Sequence, residues 1–223
     1  MEVFFVIVIS LFSCITANTL DVSLSQPIRA FTTFLNGSSA NSKFGTSVKG
    51  IGDFNGDGFG DFAVSAPYAS SKWYNGNVYI FFGFQEANIT TSLSSAGFPS
   101  QNGFVIYGES DNDLMGTSVS NAGDLNGDGL SDIIISSELS SPSSNARHGG
   151  TSYVIYGRKN VSNIDLATLN TTVGFRIKGS TENEYSGCSV SSAGDVNGDG
   201  VNDLIVGAYN ATNKGYANTG AAY

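Results

Sequence analysis

The feature that most constrains the fold is an acidic stretch of nine residues that occurs three times at a fixed spacing. It reads DFNGDGFGD from Asp53, DLNGDGLSD from Asp124 and DVNGDGVND from Asp195. Each copy begins 71 residues after the one before it. Self-similarity at a fixed period is typical of proteins built from repeated supersecondary units. The sequence therefore predicts three copies of one unit.

The segments on both sides of the acidic stretches repeat as well. KFGTSVKGIGD, LMGTSVSNAGD and YSGCSVSSAGD precede them, and FAVSAP, IIISSE and LIVGAY follow. Short apolar runs with β-branched residues, bounded by turn residues, predict buried strands rather than helices. GNVYIFFG, GTSYVIYG, GFVIYG and GFRIKG are further strand-like segments. We therefore predict an all-β fold with about four strands in each unit, either a β-propeller or a packed β array.

These residues resemble the FG-GAP repeat of integrin α-subunit propellers. Phe44-Gly45 and Ser65-Ala66-Pro67 flank the first acidic loop, whereas Met115-Gly116 and Ser186-Gly187 replace Phe-Gly in the other units. All three loops match the family pattern D-x-[DN]-x-D-G-x-x-D. The resemblance covers roughly residues 28–223. It implies a seven-bladed β-propeller of which about three four-stranded blades are present.

Three units are too few to close such a ring, because propellers have about four to eight blades. The chain is therefore interpreted as the N-terminal part of a longer protein. The alternative is a short product that closes its ring by self-association.

The acidic loops carry an oxygen-rich donor set that suits a hard cation. Ca²⁺ takes about six to eight oxygen ligands, and main-chain carbonyls can contribute alongside carboxylates and amides. Side chains at loop positions one, three, five and nine and the carbonyl at position seven are the predicted ligands, so about three Ca²⁺ ions are expected. These residues are Asp53, Asn55, Asp57, Phe59 and Asp61 in the first loop, Asp124, Asn126, Asp128, Leu130 and Asp132 in the second, and Asp195, Asn197, Asp199, Val201 and Asp203 in the third.

Charge supports this interpretation, because nine of the 19 acidic residues lie in the three loops. One divalent ion per loop would raise the formal charge from −9 to −3. An EF-hand is excluded, since position 12 is Val64, Ile135 or Val206 where that motif needs Glu. Zinc and copper fit poorly because the loops contain no His or Cys. Mg²⁺ and a metal-free Asx-turn hairpin remain as alternatives.

The N-terminus predicts export. An apolar run from Val3 to Phe12 is shorter than the roughly 20 residues of a membrane-spanning helix. We interpret residues 1–17 as a signal peptide and residues 18–223 as the FG-GAP repeat region, although Glu2 stands where a basic residue is usual. The alternative is a buried N-terminal strand. A secreted or cell-surface glycoprotein is expected, with N-x-S/T acceptors at Asn36, Asn88, Asn160, Asn170 and Asn210.

Little in the sequence indicates catalysis. The only histidine is His148, which lies in a polar loop, and no nucleophile elbow, Walker loop or HExxH motif occurs. The chain is therefore predicted not to be an enzyme. Removal of the signal peptide would leave Cys188 without an intrachain partner. The formal charge of −9 argues against nucleic acid as a partner.

The function that the resemblance implies is adhesion or recognition by a calcium-stabilised extracellular module. Its expected partners are an extracellular protein or glycan and a partner subunit. The loop Ser71–Tyr74, which contains Trp73, is a candidate contact surface because aromatic residues are enriched at interaction hot spots. The alternative is that Trp73 packs over the edge of the blade. One alternative is an accessory propeller of a secreted hydrolase, similar to a glycosylphosphatidylinositol-specific phospholipase D, with the catalytic part elsewhere. Another is a structural wall or matrix protein.

Overall fold

A computed structural model describes residues 5–9, 32–37, 40–69, 74–83, 103–212 and 218–223. These residues form fourteen β-strands, and the helical structure among them is one 3₁₀ turn, Leu166–Thr168. The all-β prediction is confirmed. In the part of the chain that is described, no helix is long and apolar enough to cross a bilayer.

The N-terminal residues form a two-stranded sheet. Strand β1, Phe5–Ile9, pairs antiparallel with β2, Thr32–Asn36. Strand β1 lies within the predicted signal peptide, so cleavage after Ala17 would separate it from β2. The cleavage itself stays a prediction.

Each repeat unit forms an antiparallel sheet whose strands follow the order of the chain, apart from one short strand of the second unit that joins the first sheet. The first sheet has the order β3-β4-β5-β6 and contains the strands predicted for the first unit. Their bounds are β3 Val48–Gly52, β4 Asp61–Ala66, β5 Asn77–Phe81 and β6 Gly103–Tyr107.

The second unit repeats this order and adds a connection back to the first. Its strands are β7 Val119–Gly123, β8 Asp132–Ser137 and β9 Thr151–Ile155, followed after a longer segment by β11 Gly174–Lys178. Residues 156–173, here called the strap, contain the short strand β10, Ile164–Asp165. Because β10 pairs in parallel with β6, the strap extends the first sheet to five strands.

The third sheet contains three strands. They are β12 Ser186–Gly194, β13 Asp203–Ala208 and β14 Ala221–Ala222. The predicted strand before each acidic loop and the predicted strand after it are thus present in all three units.

The packing of β8 in the second sheet explains why three isoleucines follow one another without alternation at the start of IIISS. Ile133 and Ile135 belong to the core cluster shared with the first sheet, whereas Ile134 belongs to the cluster shared with the third. A strand buried on both faces reads as a continuous apolar run. Each fully buried Ile side chain contributes about 1.5–3 kcal/mol by leaving water. The corresponding Ile205 of the third sheet is 43% exposed.

A serine hydroxyl joins the first strand of each sheet to that of the next. Ser47 Oγ accepts a hydrogen bond of 3.2 Å from the Val119 main-chain N–H. Ser118 Oγ accepts one of 3.2 Å from Val190 in the same way. Since the two bonds recur at the same position of the repeat, they fix the register between neighbouring sheets.

An ion pair anchors the strap between the first two sheets. Arg176 Nε lies 2.9 Å from Glu109 Oε2, which also accepts a hydrogen bond of 3.0 Å from the Tyr153 hydroxyl. The Arg176 guanidinium also donates to the carbonyls of Leu166 and Leu169 in the strap. Removing Arg176 would leave three acceptors with fewer partners.

Candidate metal centre

Each acidic loop connects the first and second strands of its sheet, so the loops occupy equivalent positions in the three units. The loops are residues 53–61, 124–132 and 195–203. In all three, the middle of the loop is exposed to solvent. The structure therefore places the fifteen predicted ligands at equivalent positions of three loops.

The first aspartate organises the turn in each loop. Asp53 Oδ1 accepts hydrogen bonds from the N–H groups of Gly56 and Asp57, at 2.7 and 3.1 Å. Asp53 Oδ2 accepts a bond of 2.8 Å from Gly58. Asp124 and Asp195 accept the equivalent three bonds within their own loops. One carboxylate thus satisfies three main-chain donors, which is why an Asp at position one suits this turn.

The backbone conformation of each loop requires glycine at two positions. Gly56 and Gly58 have φ angles of 75° and 89°, a region that side chains with a Cβ rarely adopt. The alternation of Gly with polar residues in NGDG is therefore what the turn requires.

The side chains at positions three and five contact each other. In the first loop Asn55 Nδ2 donates to Asp57 Oδ2 at 2.8 Å, and Asp57 Oδ1 accepts from the Phe59 N–H at 2.8 Å. The second loop repeats both bonds. In the third, Asn197 Nδ2 lies 3.5 Å from Asp203 Oδ1 instead.

The last aspartate starts the following strand and is buried in the first two loops. Asp61 is 2% exposed, and its two carboxylate oxygens accept hydrogen bonds from the N–H groups of Phe54 and Gly83, at 2.9 and 2.8 Å. Asp132 is fully buried and accepts equivalent bonds from Leu125 and Gly157. These bonds tie the acidic loop to the end of the third strand.

Burial disfavours the ionised form of this carboxylate. The pKa of Asp61 is raised from 3.8 to about 6, mainly by burial and also by the negative charge of Asp57, although the main-chain donors lower it. Burial likewise raises the pKa of Asp132, with Asp128 and Asp124 adding to the effect. In the first two loops, exposed aspartates thus lie close to a buried one, and their negative charges disfavour its ionisation.

Sequence reasoning missed two glycines that complete these contacts. Gly83 and Gly157 donate the second hydrogen bond to Asp61 and Asp132. A Cβ at Gly83 would lie 2.4 Å from the Gly60 carbonyl oxygen, so the close approach requires glycine. The recurrence of Gly at the end of GNVYIFFG and GTSYVIYG was the available signal.

Neighbouring loops also touch directly. The Asp53 carbonyl accepts a hydrogen bond of 3.0 Å from the Ser131 N–H, which belongs to the second loop. The Phe54 carbonyl accepts one of 2.8 Å from Arg158 in the strap. The first loop is therefore held by its neighbour as well as by its own strands.

The donor set fits a hard cation in its chemistry. Each loop offers three carboxylates, one amide and a main-chain carbonyl, and oxygen donors of this kind suit calcium or magnesium. In the geometry of the described residues, no three acidic, His or Cys side chains are grouped closely enough to hold an ion. The carboxylates accept main-chain hydrogen bonds instead, and ligation stays a prediction.

Other candidates from the sequence lie elsewhere. His148 is half-buried and stacks on Tyr185, with ring centroids 6.0 Å apart. Cys188 is a half-buried free thiol. Trp73 and the residues 70–72 before it fall outside the described part of the chain.

Comparison with known proteins identifies the repeated unit. The model of the FG-GAP repeat matches residues 44–81, 115–155 and 189–223, which contain the three acidic loops and their flanking strands. The chain belongs to the FG-GAP repeat family. Its sheets are therefore units of the kind that form β-propeller blades, while the closed seven-bladed ring stays a prediction.

Proteins similar to this chain include integrin α-subunits. Human integrin alpha-11 is 27% identical over 179 residues, which cover 78% of this chain and 13% of the relative. Mouse integrin alpha-2 is 34% identical over 95 residues, covering 43% of this chain and 8% of the relative. Integrin alpha-PS2 of Drosophila melanogaster is 50% identical over 44 residues, covering 20% and 3%. The chain spans about a tenth of the length of the curated relatives it matches.

Proposed function

We propose that this FG-GAP chain is part of a calcium-stabilised extracellular β-propeller that acts as an integrin-α-like adhesion and recognition module. The observation that carries the proposal is the threefold recurrence of one oxygen-only donor set at one place in the repeat. A single acidic turn would be explained by its own hydrogen bonds. Three loops that keep the same four side-chain donors are better explained by a shared ligand.

In each loop the side chains at positions one, three, five and nine, with the carbonyl at position seven, would hold the ion. Bound Ca²⁺ would supply positive charge that offsets the repulsion between three carboxylates. The protein's own part would be to bring the carboxylates together around the ion. The hydrogen bonds that Asp53 and Asp61 accept from main-chain N–H groups fix where these two side chains start from in the turn. The ion would therefore have a structural role, joining the first two strands of a blade.

The proposed recognition function rests on the family and on the division between scaffold and loops. The three relatives above are integrin α-subunits, which favours an adhesion module over the accessory propeller of a hydrolase. The connection from β4 to β5 and that from β8 to β9 differ in sequence, whereas the strands around them repeat. Variable loops on a repeated scaffold suit binding of an extracellular protein or glycan, alone or with a partner subunit.

Calcium titration tests the metal-binding part of the proposal. We expect calorimetry on the purified chain to give close to three sites, and thermal melts to shift upward with calcium relative to chelator. Asp128→Asn keeps a side-chain acceptor but removes one charge, so it should remove one site. Asp111→Asn is the matched control, because Asp111 is an exposed residue outside the loops.

A folded chain that binds no calcium up to several millimolar, above the roughly 10⁻⁴–10⁻³ M typical of extracellular modules, would contradict the proposal. Equal stoichiometry for both variants would contradict the assignment of the second loop. Magnesium in place of calcium separates the two hard cations.

Adhesion is tested by coating beads with the chain and counting attached cells. We expect attachment that is lost in chelator and restored by calcium. Attachment no greater than that of beads coated with an unrelated β-protein would contradict the recognition function while leaving calcium binding intact.

A further inference from the structure

We infer that the strap carries N-linked glycans at Asn160 and Asn170, and that Asn210, a third acceptor, stays unmodified in the folded protein. The inference rests on the proposed extracellular function, since N-glycosylation takes place in the secretory pathway. It concerns three of the five N-x-S/T sites, because the structure does not describe the side chain of Asn36 or any part of Asn88.

The strap has a buried side and an exposed side. Ile164 and Leu166 are buried in the core cluster between the first two sheets. Asn160 and Asn170 are exposed, and so are the hydroxyl residues of their acceptor motifs, Ser162 and Thr172. A bulky glycan on either asparagine would therefore extend into solvent without displacing the core.

The inner side of the strap is firmly held. Asn163 Oδ1 accepts a hydrogen bond of 2.9 Å from the Val105 N–H, beside the parallel pairing of β10 with β6. Arg176 donates to the carbonyls of Leu166 and Leu169. These contacts fix which side faces outward.

The native contacts of Asn170 leave its amide nitrogen free to carry a sugar. Its Oδ1 accepts hydrogen bonds from the N–H and the hydroxyl of Thr172, at 3.0 and 2.6 Å. The carbonyl half of the amide thus makes the contacts of the turn. Among the described residues, none accepts a hydrogen bond from Nδ2, so the nitrogen is available to carry a sugar.

Asn210 has the opposite arrangement. Its Nδ2 donates a hydrogen bond of 2.6 Å to the Asn183 carbonyl, joining the turn after β13 to the turn before β12. Asn210 is also only half-exposed. A sugar on Nδ2 would replace a hydrogen beside this short contact and would crowd the neighbouring turn.

The chemistry needs a glycosyl donor, an oligosaccharide linked to a polyprenyl pyrophosphate. A bond forms between the asparagine Nδ2 and the sugar C1, while the bond from C1 to the pyrophosphate oxygen breaks. The lipid pyrophosphate leaves with the electron pair of that bond, and the amide proton passes to a base of the host transferase. No electron donor or acceptor is required.

Glycans at these positions would cover the outer side of the strap, where β10 forms the edge of the first sheet. An exposed sheet edge is a site for unwanted strand pairing, and bulky hydrophilic groups beside it oppose association. The strap would thus both connect two sheets and shield the edge that it creates.

The test is site-specific glycan mapping of the full chain secreted by eukaryotic cells. Peptide-N-glycosidase digestion in heavy-oxygen water converts each glycosylated Asn to a labelled Asp that mass spectrometry detects. We expect label at Asn160 and Asn170 and none at Asn210. Asn160→Gln and Asn170→Gln should each remove one glycan from the intact mass, whereas Asn210→Gln should leave that mass essentially unchanged.

Label at Asn210, or an exported chain without label at either strap site, would overturn the inference. A second version with residues 1–17 replaced by a proven signal peptide separates this result from export. If only that version reaches the medium, the native leader fails as an export signal, and the glycan map of the secreted version still decides the inference.

Discussion

Replacement of Asp113 by Asn should raise the free energy of unfolding at neutral pH, because it removes the cost of ionising a buried carboxylate. Asp113 lies in the turn between β6 and β7 and is 7% exposed. Its pKa is raised from 3.8 to about 6, mainly by burial and also by the charges of Glu109 and Asp111, although a hydrogen bond from Ser140 lowers it. Each pKa unit corresponds to about 1.4 kcal/mol. Ionised Asp113 therefore costs the native state on the order of 3 kcal/mol.

The sign follows from proton binding. Because the native pKa of Asp113 lies above its ordinary value of 3.8, the native state binds the proton more tightly than the unfolded state. The stability that this proton gives is complete below about pH 4 and is lost as the pH rises through about 6. Asparagine is neutral at every pH and avoids the loss. The advantage of Asp113→Asn should approach 3 kcal/mol at about pH 8 and fall below about 1 kcal/mol at about pH 4.

Denaturant unfolding of both proteins across this pH range, in chelator, measures the difference. Asp111→Asn removes the same charge from an exposed position in the same turn and should change stability by less than about 0.5 kcal/mol. A stability difference between wild type and Asp113→Asn that does not change with pH would refute the reasoning. So would equal pH dependence for the two variants.

Three further changes test the contacts between sheets. Ser118→Ala should lower the free energy of unfolding by about 1 kcal/mol because a main-chain donor loses its acceptor, while Ser189→Ala in the third sheet should cost less in the same denaturant assay. Gly150→Ala should lower the free energy of unfolding by about 3 kcal/mol or more, because φ is 82° and a Cβ would lie 1.9 Å from a carbonyl oxygen of the third sheet. A melting temperature within a few degrees of wild type would contradict this. Arg176→Gln should lower the free energy of unfolding by about 1–3 kcal/mol and speed amide hydrogen exchange in the strap, because Glu109 and two carbonyls lose a donor. Unchanged exchange in the strap would show that the ion pair does not anchor the strap.

Local signals in the sequence were sufficient to predict the repeated parts of the fold. The period of 71 residues and the apolar runs predicted the strands that flank each loop, including β4, β8 and β13. These elements depend on burial pattern and turn chemistry, which neighbouring residues determine. The family match to the same segments confirms the FG-GAP prediction.

The strap was not predicted, because its structure depends on contacts far apart in sequence. Strand β10 has only two residues and pairs with β6, about 60 residues earlier, which no local periodicity indicates. The burial of Asp113 and the Gly83 contact to Asp61 likewise arise only when strands come together. At the loops, sequence predicted the positions of the donors and the order of the strands. The hydrogen bonds that the donors accept came from the structure.

The contacts between sheets also bear on the proposed propeller. Each of the first two sheets contacts the next sheet through a serine hydroxyl on its first strand and apolar side chains on its second strand. The third sheet has both features at the same positions of the repeat, Ser189 and Ile205, and Ile205 is 43% exposed. An exposed Ile on a strand that is otherwise apolar leaves hydrophobic area in water that a further sheet would bury. Since the surface has the chemistry of the two interfaces already formed, the third sheet is suited to receive a fourth of the same kind, as propeller assembly requires.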